Sequence, residues 1–103
     1  MKSFITKSLT VLAITLFMAC GKTTDVVDSG TYMGKVIEVE ADKSEIYVKT
    51  DDGKTLELYF TDETTLTQNG ETVEFSALKV DQSVEVEVEK VGKRLDPISV
   101  KIQ

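Results

Sequence analysis

From Thr31 to Ile102 the apolar residues recur at every second position, the period of strands that bury one face and expose the other. Five main strands are predicted. The first covers Thr31–Glu40, where Val36, Ile37 and Val39 break the alternation. That break predicts a bulge, and Gly34 permits sharp coiling beside it. The second covers Ser44–Thr50, with Ile46 and Val48 on one face, and the third Lys54–Phe60, with Leu56, Leu58 and Phe60 on one face. The fourth, Ser83–Lys90, alternates Val84, Val86 and Val88 against Glu85, Glu87 and Glu89. The fifth, Leu95–Ile102, places Ile98, Val100 and Ile102 inward.

Side-chain parity selects the turns. A two-residue turn at Asp52-Gly53 would set Val48 against Glu57, core against solvent. A three-residue loop, Asp51-Asp52-Gly53, pairs Val48 with Leu56 and Ile46 with Leu58, and Gly53 supplies the left-handed residue this loop needs. For the last hairpin, a loop of Gly92-Lys93-Arg94 pairs Val88 with Ile98, Val86 with Val100 and Val84 with Ile102. It also sets Lys90 opposite Asp96 and Glu85 opposite Lys101. Pro97 lacks an amide donor, which predicts an edge or a strand start there. Between the third and fourth strands, an Asn69-Gly70 hairpin pairs Leu66 with Val73. Phe75-Ser76-Ala77-Leu78-Lys79 then reads as one helical turn capped by Ser76, with Phe75 and Leu78 free to plug a barrel end.

Three strands, a helical insert and two more strands is the order of an OB-fold. The stretch from Gly34 to Ile102 resembles small bacterial OB-like domains of exported proteins and lipoproteins. The resemblance is carried by Gly34-Lys35-Val36, Asp51-Asp52-Gly53, Thr64-Thr65-Leu66, Phe75-Ser76-Ala77-Leu78, the run from Asp81 to Val86, and Ile98-Ser99-Val100. It implies an all-β, five-stranded OB-like barrel with one short helical turn between strands three and four. That group has no common activity, so it implies a fold and no chemistry.

The chain before the barrel has a different character. Met1 to Lys7 carries two lysines and no acid, and Ser8 to Met18 is apolar apart from Thr10 and Thr15. A basic start, an apolar run well short of the ~20 residues that span a bilayer, and a small residue at the break make a signal peptide. Leu16-Phe17-Met18-Ala19-Cys20 resembles the lipobox of bacterial lipoproteins, with Phe17 departing from the usual Leu. The resemblance implies cleavage before Cys20, a diacylglycerol on its thiol and an acylated amino group. Two or three chains, at about 0.8 kcal/mol per buried methylene, hold a protein on its membrane. Gly21 in place of Asp implies the outer membrane, facing the periplasm. The reading divides the chain into a leader (1–19), a lipidated Cys20 with a flexible, glycine-bounded tether (20–30), and the barrel domain (31–103).

The chain has 103 residues and a net charge of −6, from 12 Lys+Arg against 18 Asp+Glu. Without Lys2 and Lys7 the balance is more acidic still, which excludes nucleic acid and leaves acylation as the tie to the bilayer. There is no His and one Cys. With no His and no nucleophile motif, the sequence points away from an enzyme and implies no cofactor.

Tyr47 and Tyr59 point outward on neighbouring strands, with Tyr47 opposite Glu57 and Tyr59 opposite Glu45. Together with Lys49 and Glu57 they form a candidate aromatic binding face. Asp51, Asp52, Asp62 and Glu63 form a weaker candidate metal set of oxygen donors, because Asp and Gly are also ordinary turn formers. The outward row of Glu85, Glu87 and Glu89 fits a solvated face. The sequence therefore predicts a membrane-anchored, non-enzymatic envelope lipoprotein that binds an envelope protein, peptide or glycan through the tyrosine face. Two alternatives stand beside it: an envelope stress or exclusion factor, and a small-ligand or cation-binding lipoprotein. The anchor is tested by replacing Cys20→Ser, which is expected to move the protein from the membrane fraction to the soluble fraction on cell fractionation.

Overall fold

The computed structural model describes residues 23–103; the expected leader, Cys20 and the first residues of the tether lie outside them. Seven strands are described: β1 (Gly30–Glu40), β2 (Glu45–Thr50), β3 (Thr55–Tyr59), β4 (Thr65–Gln68), β5 (Glu71–Thr72), β6 (Ser83–Val91) and β7 (Arg94–Ile102). Their order is β3-β2-β1-β6-β7-β4-β5, and a further parallel pairing joins β3 to β7. The five expected strands thus close into an OB-like barrel, and the short β4–β5 hairpin extends from β7.

Side-chain parity set most of the register as expected. Val48 faces Leu56 and Ile46 faces Leu58 across the Asp51-Asp52-Gly53 loop, where Gly53 has φ +91°. Asn69 and Gly70 both take positive φ, the two-residue turn that follows strand twist, and the Val73 amide donates to the Leu66 carbonyl. β1 carries the expected bulge between Val36 and Glu38, which expels Ile37 to the surface. β1 pairs on both sides, with Gly34 between Thr50 and Val84. A Cβ on Gly34 would lie 2.5 Å from the Lys49 carbonyl oxygen and 2.8 Å from Val48 Cγ1. Glycine is therefore required here by close packing of backbone on backbone.

The last hairpin differs from expectation. Val91 pairs with Arg94, so the turn is the two-residue Gly92-Lys93, and a bulge between β6 residues Glu87 and Val88 and their β7 partners leaves Ile98 unpaired. Val88 consequently faces Pro97 rather than Ile98, Lys90 faces Leu95 rather than Asp96, and Ile98 is exposed. The physical reason is a trade. The expected loop would bury Ile98 and turn Asp96 inward. The observed register buries Leu95 and Pro97 instead and leaves Asp96 to pair with Arg94 at 2.8 Å. At about 1.5–3 kcal/mol for each fully buried aliphatic side chain, two for one favours the bulge. Beyond it the expected pairs return, Val86 with Val100 and Val84 with Ile102. Pro97 is not at a strand start; it is buried beside the bulge, paired with Val88 on one side and lying on the other between the pairings at Leu95 and Ser99, where its carbonyl accepts from Thr64 Oγ1 at 2.9 Å.

Leu95, brought inward by this register, pairs in parallel with Leu58 and closes the barrel. The core runs from Val36, Ile46 and Val48 through Leu56 and Leu58 to the inward valines of β6. The expected helical turn is a short 3-10 turn at Phe75–Ala77, without a Ser76 cap. Ser76 lies inside the turn, and Gln82 holds it instead, accepting from the Lys79 amide at 2.8 Å and donating to the Ala77 carbonyl at 3.0 Å. Leu78 is buried, and Phe75 meets Phe60 edge-to-face at 5.1 Å, plugging one end of the barrel.

Part of the expected tether is docked. The Asp25 amide donates to the Thr55 carbonyl at 2.8 Å, and Asp25 Oδ2 accepts from the Thr55 amide at 3.0 Å. Ser29 Oγ accepts from the Lys90 amide, the Tyr32 hydroxyl donates to the Asp28 carbonyl, and Val27 packs on the core.

Candidate functional site

The outer face of β1, β2 and β3 is ordered in rows by the ladder. Lys35, Lys49 and Thr55 form one row, Glu38, Tyr47 and Glu57 the next, and Glu40, Glu45 and Tyr59 the third. The β1 bulge determines this placement, because it brings Glu38 and Glu40 onto the face of Tyr47 and Glu45. The expected neighbours therefore meet: Tyr47 faces Glu57 and Tyr59 faces Glu45.

Their exposure was not foreseen. Tyr47 is only 9% exposed, and its hydroxyl donates to Glu57 Oε2 at 3.3 Å. Tyr59 is 48% exposed, Glu57 is half-buried and Lys49 is exposed. This is no flat aromatic platform. It is a polar cluster with one open aromatic at its rim. At its centre is a residue the sequence reading treated only as an outward neighbour: Glu45 is 1% exposed, and its Oε2 has no hydrogen-bond partner. The one hint in the sequence was that Glu45 and Glu57 each sit opposite a tyrosine, whose ring can shield a neighbouring carboxyl from water.

Burial pushes the Glu45 carboxyl above its ordinary 4.5, and a hydrogen bond shared with Glu57 raises it further. The hydroxyls of Tyr59 and Tyr47 act in the opposite direction. Tyr59 is pushed up to about 12, chiefly by its hydrogen bond to Glu45, and Tyr47 is raised chiefly by burial, then by the charges of Glu57 and Glu45. Both phenols thus stay protonated and act as donors. Among the described residues, ion pairs join Lys43 to Glu40, Lys90 to Asp28 and Arg94 to Asp96, and none reaches Glu45 or Glu57. Beside Glu57 and Tyr59 lies a hollow of about 60 Å³, walled by the docked segment at Thr24, Asp25 and Val26 and by Lys93, Arg94 and Leu95 of the last hairpin.

The weaker candidate set does not come together. Asp51 and Asp52 sit in the β2–β3 loop and Asp62 and Glu63 follow the other end of β3, so the strand separates them. The Thr50 hydroxyl donates to the Asp52 carboxylate and lowers its pKa, the behaviour of a turn former. Asp62 and Glu63 instead line an open hollow of about 410 Å³ with Glu89 and Asp96. Among the described residues, no three His, Cys, Asp or Glu side chains converge as a ready metal cluster.

No protein-family model and no curated protein matches the chain. Solved structures do. The Ag(I) form of CusF residues 10–88 from Escherichia coli is 14% identical, with a TM-score of 0.59 over 74% of this chain and 92% of that one. Apo-CusF from the same organism is 14% identical, with a TM-score of 0.57 over 81% and 99%. A CusF variant holding Cu(II) gives the same values as the Ag(I) form. At this identity the likeness is one of fold, and it supports the OB-like barrel.

A glutamate whose folded pKa is raised stabilises the fold fully below its unfolded pKa and loses that contribution as pH rises through the folded value. In chelator-containing buffer, the wild type should therefore lose stability relative to Glu45→Gln as pH climbs above 4.5. Urea midpoints measured for both proteins from roughly pH 4 to roughly pH 8, a range that starts near the ordinary carboxyl pKa and extends well above it, check this. Parallel curves would show that the carboxyl is hydrated.

Proposed function

We propose that this chain is a non-enzymatic, lipid-anchored domain of the cell envelope whose barrel binds a cation. The observation that carries the reading is Glu45: a carboxyl at 1% exposure, with an unpartnered oxygen and no Lys or Arg paired to it among the described residues. Charge buried without a counter-charge is strongly unfavourable, so the site asks for a positive partner or a proton. The fold offers precedent, since the barrel is shared with CusF structures that hold Ag(I) and Cu(II).

Anchorage rests on the lipobox-like run ending at Cys20, and the non-enzymatic character on the absence of His and of any nucleophile motif. Stacking of an envelope partner on a Tyr47/Tyr59 platform is disfavoured, because Tyr47 is buried and its hydroxyl is bonded to Glu57. What that face presents is negative charge and phenol oxygens, which suits a cation.

Thermal unfolding of the full chain in detergent, across a panel of mono- and divalent cations and small organic ligands, tests the reading. A cation at a hundredfold excess over its Kd should raise stability by about 2.7 kcal/mol, or more than about 10 °C in midpoint for a domain of this size. A midpoint unmoved by every cation would contradict the proposal.

A further inference from the structure

We infer that the seam side of the barrel, where the docked segment 24–29 passes from β6 to β3, is the surface that faces the lipid bilayer. This rests on the reading of Cys20 as the acylated residue. At the seam β3 and β7 meet through a single pair, Leu58 with Leu95. The docked segment lies beside it like a strap. At one end Ser29 Oγ accepts from the Lys90 amide at 2.8 Å, and Asp28 pairs with Lys90 at 3.9 Å. Val27 packs on the core in between. At the other end Asp25 is bonded to Thr55 through both its amide and its carboxylate. The strap is fixed at both ends, so the chain leaves the barrel at Asp25, beside β3.

Length then decides the orientation. Four residues lie between Cys20 and Asp25, so the chain from one to the other reaches at most about 18 Å even when fully extended. A domain of this size has a radius of gyration of about 11 Å, hence a diameter of about 28 Å. The leash is shorter than the barrel is wide, and the barrel cannot turn its seam away from the lipid. The side chains around the exit point suit that surface. Val26 and Tyr59 are exposed there, at 41% and 48%, and they line one hollow with Lys93 and Arg94 of the last hairpin. Apolar and tyrosine side chains beside basic ones are the composition of protein surfaces at the headgroup layer. The two acids of the hollow are engaged, Asp25 with the Thr55 amide and Glu57 with the Tyr47 hydroxyl. Arg94 is held by Asp96, and among the described residues Lys93 has no ion pair.

Fluorescence quenching on the acylated protein in vesicles of phosphatidylethanolamine and phosphatidylglycerol tests the inference. Lys93→Cys, at the hairpin tip beside the strap, and Lys101→Cys, near the far end of β7, each carry a thiol-reactive fluorophore; acylated Cys20 offers no thiol to it. The vesicles carry lipid with a nitroxide on its headgroup. Both lysines are exposed, and they stand about 26 Å apart at the rise of a strand. Circular dichroism checks that each labelled variant still folds. The expected result is a larger loss of fluorescence at position 93 than at position 101, in protein that floats with the vesicles. Inserting about 20 Gly and Ser residues after Lys22, a flexible length of about 25 Å, should narrow that difference. Equal loss at the two positions, or a larger loss at position 101, overturns the orientation and leaves the anchor standing. A difference that the insertion does not narrow overturns the leash as its cause. Protein that does not float with the vesicles overturns the anchor itself, and the inference with it.

Discussion

Closure of the barrel at Leu58 and Leu95 is the constraint on which the rest of the structure depends. A sheet of this size cannot leave its edges open and still bury enough apolar surface to be stable. The bridge exists only because β7 bulges at Ile98, which turns Leu95 inward while Val100 and Ile102 stay in the core. On the other side, β1 must pair with β2 and β6 at once. That double role requires Gly34 at the tightest approach and a second bulge at Ile37. Each bulge exposes an isoleucine, and each corrects the parity of the residues that follow.

The β1 bulge also shapes the candidate site. It aligns Glu38 and Glu40 with Tyr47 and Glu45 across the ladder. The result is a sheet face with acidic residues on all three strands and a carboxyl buried near its centre. In the proposed reading, a bound cation offsets the cost of burying Glu45, and binding and stability are linked through that one carboxyl.

Period-two patterning carried much of this fold. It was enough to place the β2–β3 loop, the Asn69-Gly70 hairpin, the bulge in β1 and the facing of Tyr47 with Glu57, because each follows from parity within a short stretch of chain. The last hairpin was not legible. A three-residue turn without a bulge and a two-residue turn with one both align Val86 with Val100, and only the distant partner Leu58 separates them. Burial of Tyr47 and Glu45 was equally out of reach, since it depends on neighbouring strands and their side chains. Docking of Asp25 on Thr55 rests on two hydrogen bonds made thirty positions along the chain, in a polar stretch that has the composition of a spacer.

The comparison with CusF separates architecture from chemistry: the same barrel carries Ag(I) and Cu(II) there, and here presents oxygens on β2 and β3. The most direct measurement is amide chemical-shift mapping of the full chain in detergent micelles while a divalent cation is added. The account predicts that the largest shifts cluster at Glu45, Tyr47, Glu57 and Tyr59. Shifts concentrated instead around Asp62, Glu63 and Glu89, or none at all, would contradict it.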